Sequence, residues 1–306
     1  SAQDAEAAFK GDTDRYIYSR YGNPTVTMFQ NRLALLEGAK HCVATSSGMA
    51  AVFATLASQI GAGDRIVASR ALFGSCSYIV EDILPRFGAE AVLVDGTDLD
   101  QWAQALSKPT KCVFLETPSN PTLEIIDLRK VSEMAHAAGA RVVVDNVFAT
   151  PILQRPLELG ADIVMYSATK HIDGQGRTLG GAILTNDDSF IEDCLTPFMR
   201  HTGPALSPFN AWVLLKGLET LDIRVERHCR NARAIAEFLS DDIRASGVLY
   251  PGLKSHPQHE LAMAQMSDGS TMVTFEIGGG KEGAFKFLNA LEIIDISNNL
   301  GDTKSL

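Results

Sequence analysis

The residues best suited to chemistry in this chain are Lys170, Asp145, Ser167 and Thr169. Lys170 stands in the segment Tyr166-Ser-Ala-Thr-Lys170-His171, directly after an apolar run, and Asp145 ends another run, Arg141-Val-Val-Val-Asp145. A third run ends at Leu115 and leads into Glu116-Thr-Pro-Ser-Asn120-Pro121. In a wound α/β sheet, ligands collect outside the carboxyl ends of the strands, so these three termini are expected along one rim. An amine, a carboxylate and two hydroxyls there suit an aldehyde cofactor that carries a phosphate and a basic ring nitrogen. The lysine would form a Schiff base, helped by desolvation that favours its neutral amine. The carboxylate would keep the ring nitrogen protonated, and that ion pair makes the ring an electron sink.

Three further features fit the same chemistry. The turn Thr45-Ser-Ser-Gly48-Met49 precedes an apolar helix expected over Val52–Ile60, where backbone N–H groups and the helix dipole can cradle a phosphate. Phe73 follows the run Arg65–Ser69 and can stack on a flat ring. Tyr18 and Arg20 lie in a polar stretch before a helix, where an arginine can pair bidentately with phosphate. Taken singly, each residue has a plainer reading. A strand-end Asp caps a helix or pairs with a basic side chain, a loop Lys or Arg is solvated, Ser47 is a simple N-cap, and a Phe packs in the core. The residues alone leave these alternatives open.

The elements that must position these groups follow from alternation. Short β-branched runs at Arg65–Ser69, Ala91–Val94, Lys111–Leu115, Arg141–Val144 and Asp162–Tyr166 are separated by helical patterns at Ser75–Arg86, Leu99–Leu106 and Leu128–Ala138. Uninterrupted apolar runs are what strands covered on both faces require, so the sheet is expected to be mostly parallel and buried. Gly180–Thr185 reads as a strand returning along it. After Pro208 two long helices follow, Phe209–Leu221 and Asp222–Leu239, with a boundary near Leu221. Beyond it, Gly247–Tyr250, Thr271–Ile277 and the helix Glu282–Leu291 make a smaller α/β domain.

Composition narrows the partners. The chain has 306 residues, 45% of them apolar, which is enough for one large domain and a smaller one. A net charge of −10 without a dense Lys/Arg cluster argues against nucleic acid or an anionic membrane surface. The five cysteines are scattered, odd in number and without a Cys-x-x-Cys pair, so they read as reduced thiols of a cytoplasmic protein. No apolar run approaches the ~20 residues of a membrane span, and Ser1-Ala-Gln-Asp-Ala-Glu6 lacks the features of an export signal. His256-Pro-Gln-His259 lacks metal-ligand spacing, so no metal site is expected. Gly174-Gln-Gly176 follows no strand, and no Gly-x-Ser-x-Gly elbow occurs, so dinucleotide and hydrolase readings lose their anchors.

Together the segments Tyr18-Ser-Arg-Tyr-Gly-Asn-Pro-Thr25, Ser47-Gly-Met-Ala-Ala51, Glu116-Thr-Pro-Ser-Asn-Pro121, Val144-Asp-Asn146 and Ser167-Ala-Thr-Lys-His171 resemble the cystathionine γ-synthase-like family of pyridoxal 5′-phosphate (PLP) enzymes of cysteine and methionine metabolism. The resemblance covers nearly the whole chain, in the family's order and spacing. It implies a type I, aspartate-aminotransferase-like PLP transferase fold: a mostly parallel sheet sandwiched by helices plus a smaller C-terminal α/β domain. Residues 1–22 would contact a neighbouring subunit, 23–221 would bind PLP, and 222–306 would form the C-terminal domain. Lys170 would be the cofactor's lysine and proton shuttle, and Asp145 would face the ring nitrogen. Gly48 and Met49 amides with the Ser167 and Thr169 hydroxyls would hold the phosphate. Tyr18 and Arg20 would reach the phosphate of a neighbouring subunit, so that active sites are shared across a dimer within a homotetramer. Asn120 would lie near cofactor and substrate.

Many family members carry Tyr where this chain has Phe73, so stacking is kept while a phenolic proton carrier is lost. Acid/base work then falls more heavily on Lys170. His171-Ile-Asp-Gly-Gln-Gly-Arg177 and Asn298-Asn299-Leu-Gly-Asp-Thr-Lys-Ser305 resemble the sulfhydrylase branch, with Lys304 where synthases and lyases commonly have Glu. The resemblance therefore implies replacement of the γ-succinyloxy group of O-succinylhomoserine by sulfide, giving homocysteine and succinate in methionine biosynthesis, with Asn299 near the substrate. Cystathionine γ-synthase, O-acetylhomoserine sulfhydrylase and methionine γ-lyase activities stay open as alternatives, as does a non-catalytic PLP carrier. The family's arginine for the substrate carboxylate is expected beyond Leu306.

Overall fold

Seven strands form one sheet in the computed structural model, which describes residues 1–13 and 15–305. They are β1 His41–Thr45, β2 Arg65–Ser69, β3 Glu90–Val94, β4 Cys112–Glu116, β5 Arg141–Asp145, β6 Ile163–Ser167 and β7 Gly181–Thr185, ordered β1-β7-β6-β5-β4-β2-β3. All run parallel except β7, which lies antiparallel between β1 and β6. The expected returning strand is therefore present. β1 was not anticipated from the sequence: His41-Cys-Val-Ala-Thr45 is short and mixed, and its place beside β7 comes from a pairing distant in sequence.

The buried strands carry apolar side chains toward two helical layers because successive residues of a strand point to opposite faces. Along β4, Val113 and Leu115 enter one core with Phe29 and Leu33 of helix Pro24–Glu37 and Val131 of helix Leu128–Ala137. Cys112 and Phe114 enter the other, with Val52 and Leu56 of helix Gly48–Ala57. Each fully buried Leu, Ile or Phe contributes about 1.5–3 kcal/mol relative to exposure, so both faces must be covered. Local signals set the helix limits. Helix Pro24–Glu37 begins with Pro at its first position, under an Asn23 cap that accepts from Thr25 N at 3.0 Å, and ends at Gly38, whose φ of 79° suits glycine.

Register brings the chemistry together. Glu116 pairs with Asp145 across β4 and β5, and Ser167 pairs with Gly181 across β6 and β7. The carboxyl ends of β4, β5 and β6 thus form the expected rim. After helix Leu221–Asp241, strands β8 Ala245–Leu249 and β9 Thr274–Ile277 form a separate antiparallel pair, with helix Gly280–Asn289 packed on it through an edge-to-face Phe275–Phe287 contact, centroids 5.5 Å apart. No helix among the described residues is long and apolar enough to cross a membrane.

A polar chain threads the core beneath the rim. Tyr166 donates its hydroxyl to the fully buried Glu37, Asn146 Nδ2 donates to the Tyr166 oxygen at 2.7 Å, and Gln154 Nε2 donates to Asn146 Oδ1 at 2.9 Å. Burial raises the Glu37 pKa to about 8, with the Tyr166 hydrogen bond opposing it. The folded state therefore holds a proton that the unfolded chain releases in the ordinary carboxylate range. Stability from this group is full below that range and is lost as pH rises toward about 8. Glu37→Gln is expected to make the protein more stable at alkaline pH, on the order of 2 kcal/mol at about pH 9, and nearly unchanged at about pH 5. Thermal unfolding across that range checks it.

Candidate active site

The rim encloses a cavity of about 280 Å³. Lys170, Asp145, Ser167 and Thr169 line it, as do Gly48, Met49, Phe73 and Asn120. Eight of the residues read from the sequence are thus brought together. Helix Gly48–Ala57 starts earlier than the expected Val52, because Ser47 in extended conformation caps it and accepts from Ala50 N at 3.1 Å. Gly48 and Met49 therefore occupy the first helical turn, where main-chain N–H groups lack intrahelical partners. A Cβ at Gly48 would stand 2.6 Å from that of Ser167, so only glycine lets the turn approach this wall.

Lys170 follows β6, half-buried, and donates to Asn299 Oδ1 at 2.8 Å. Burial lowers its pKa from the ordinary lysine value and favours the neutral amine. Asp145 is buried at the end of β5 and accepts from Val147 N at 3.1 Å. Desolvation pushes it above the usual carboxylate range. Thr169 Oγ1 accepts from Gly180 N at 3.2 Å, which fixes the hydroxyl beside the antiparallel strand β7. Phe73 is 46% exposed, so its ring is free of the core and stands at the cavity edge. Asn298 and Leu300, flanking Asn299, also line the cavity.

The backbone behind Lys170 is clamped. Arg224, buried in helix Leu221–Asp241, donates to His171 O at 2.6 Å, Gly217 O at 2.8 Å and Ile172 O at 3.4 Å. His171 is itself buried, bonded through Nε2 to Thr271 Oγ1 at 2.8 Å, and desolvation lowers its pKa to about 3, so it stays neutral.

Tyr18 and Arg20 lie outside the cavity. Arg20 donates to the Arg200 carbonyl, and its guanidinium stands 5.3 Å from the Tyr18 ring centroid and 4.7 Å from that of Tyr21. One carboxylate of the cavity wall was given no role from the sequence. Glu116 is buried at the end of β4, one residue beyond where the apolar run stops, and its carboxylate hid inside what read as a turn.

The residues fit PLP on the structure's own terms: an amine with lowered basicity, a desolvated carboxylate, and a glycine-lined helix start closed by Ser167. Such a set, on the strand ends of an α/β sheet, defines a site for a phosphorylated heteroaromatic aldehyde. The chain belongs to the Cys/Met metabolism PLP-dependent enzyme family, whose match spans residues 1–306, and its cofactor is PLP. It is 58% identical to an O-succinylhomoserine sulfhydrylase of Mycobacterium tuberculosis strain H37Rv, over all of this chain and 76% of that protein. An L-methionine gamma-lyase of Fusobacterium nucleatum subsp. polymorphum is 42% identical over all of this chain and 78% of its own length. The crystal structure of metB from Corynebacterium glutamicum superposes with a TM-score of 0.92 at 39% identity, covering 95% of this chain and 75% of that one.

Proposed function

We propose that this chain exchanges the γ-succinyloxy group of O-succinylhomoserine for sulfide, yielding homocysteine and succinate. The observation that carries the reading is the contact between Lys170 and Asn299. It supports the reading because Asn299 belongs to the segment that resembles the sulfhydrylase branch and Lys170 is the amine read as the reacting one. The 58% identity to a protein named for this activity supports the same choice. PLP, when bound, supplies an electron sink for negative charge developing at the substrate's Cα.

The chain's residues do the rest. Asp145 would hold a proton at the ring nitrogen, while Gly48, Met49, Ser167 and Thr169 would hold the phosphate and Phe73 would cover the ring. Lys170 carries protons at Cα and Cβ, and Asn299 steers its amine. Asn120 orients the substrate beside the ring. The chain divides into an N-terminal arm at 1–22, a PLP-binding domain at 23–221 and a C-terminal domain from 222. Homocysteine formation from sulfide, compared with cystathionine formation from cysteine, on succinyl and acetyl esters of homoserine tests the assignment. Faster reaction with cysteine, or 2-oxobutyrate as the main product, would overturn it.

The exposed Tyr18 and Arg20, outside their own cavity, reach the cofactor phosphate of a neighbouring subunit in this reading, within a cytoplasmic homotetramer. Mixing an Arg20→Ala protein with a Lys170→Ala protein is then expected to restore about a quarter of wild-type activity, since one site in each mixed dimer is intact. Sites built from a single chain would recover nothing.

A further inference from the structure

Glu116 and Asp145 are register partners on adjacent parallel strands, both are more than nine-tenths buried, and both line the cavity. Two carboxyl groups so close in a dry site cannot both ionise without a large electrostatic cost. The ring nitrogen offers one positive charge, which matches one anion. Glu116 has a second attachment: Phe73 N donates to its Oε2 at 2.8 Å, across 43 residues of sequence. Its carboxyl group thus joins the strand end next to Asp145 with the main chain that carries the ring-covering Phe73.

We infer that Glu116 is a positioning residue for the cofactor, fastening the main chain of Phe73 to the cavity wall and standing beside Asp145 as the uncharged member of a carboxyl pair. The inference rests on the reading of Asp145 and Phe73 given above. Desolvation first and the Asp145 charge second push Glu116 well above the usual carboxylate range, in keeping with a retained proton. The amide of glutamine reproduces the shape and the acceptor oxygen of a protonated glutamate.

The test titrates apo-protein with PLP and follows the visible absorbance and circular dichroism of the bound cofactor. E116A is expected to weaken PLP binding ~10-fold and to diminish the dichroic band. E116D, whose shorter side chain leaves Phe73 N without its acceptor, should behave alike and serves if E116A does not fold. E116Q should restore binding to within about threefold of wild type. In an F73A background, E116A should add less than about a further twofold, because its effect runs through Phe73. Wild-type binding and dichroism in both E116A and E116D would overturn the inference. So would independent, multiplicative effects of E116A and F73A, or an E116Q protein as impaired as E116A. If F73A and D145A themselves bind PLP like wild type, the underlying site reading fails, whatever the Glu116 variants show.

Discussion

Lys170→Ala is expected to lower homocysteine formation by a factor of about 10⁴ or more. Among the described residues Lys170 is the one amine lining the cavity, and no tyrosine lines it, since the edge position that would hold a phenol is Phe73. The other ionisable groups on the wall are poor substitutes. In the proposed reading Asp145 is committed to the ring nitrogen and Glu116 stands beside it, and the buried Cys76 thiol is pushed far above neutrality, first by desolvation. The variant should also lose PLP on dialysis, because the covalent anchor is gone. A small primary amine such as methylamine, added at high concentration, should return part of the rate by carrying the proton that Lys170 carried. Turnover above about a tenth of wild type in the variant, without added amine, would refute the proton-carrier role.

The second large effect belongs to Asp145. Asp145→Asn is expected to reduce turnover on the order of 10²–10³-fold and to weaken PLP binding, because the amide cannot hold a proton on the ring nitrogen by charge. The apo-protein shows the other side of this arrangement. Burial raises the carboxyl's pKa, so the folded apo state retains a proton where the unfolded chain has released it, and apo stability falls as pH rises through and above the ordinary carboxylate range. A cationic ring nitrogen reverses the sign by favouring the anion, so the wild-type gain in stability on adding PLP should grow with pH over that interval. In Asp145→Asn the gain should be nearly flat. Unfolding midpoints of apo- and PLP-loaded protein across pH measure both.

The parts of the fold that were legible in the sequence are those where one physical cause acts alone. The apolar runs at β2, β4, β5 and β6 announce buried parallel strands because both of their faces are covered, and the residue after each run then falls on the rim. Lys170 and Asp145 were legible for that reason, and Gly48 because a Ser-rich turn precedes an apolar helix. β1 was not, because a strand of mixed character is selected by its partner, here β7. The helix expected over Ser75–Arg86 is continuous but passes through a π turn at Ile79–Ile83 ahead of Pro85, a detail that apolar spacing does not encode. Glu116 was overlooked for a related reason. A carboxylate followed by Thr117-Pro118 reads as the start of a turn, and only the pairing of β4 with β5 shows that it shares a wall with Asp145. Tyr18 and Arg20 do not line the cavity, and the part proposed for them in a neighbouring subunit's site is one that the fold of a single chain does not display.

Arg224 gives the boundary near residue 221 a different meaning. The guanidinium that ties down the carbonyls of His171, Ile172 and Gly217 sits on the far side of that boundary, and Gly174 lies so close that a Cβ there would be 2.0 Å from it. The sheet and the lysine loop are thus not a self-sufficient module onto which a second unit was added. A fragment ending before residue 222 would keep every residue of the β-sheet and still lack the fastening that gives its own lysine an address.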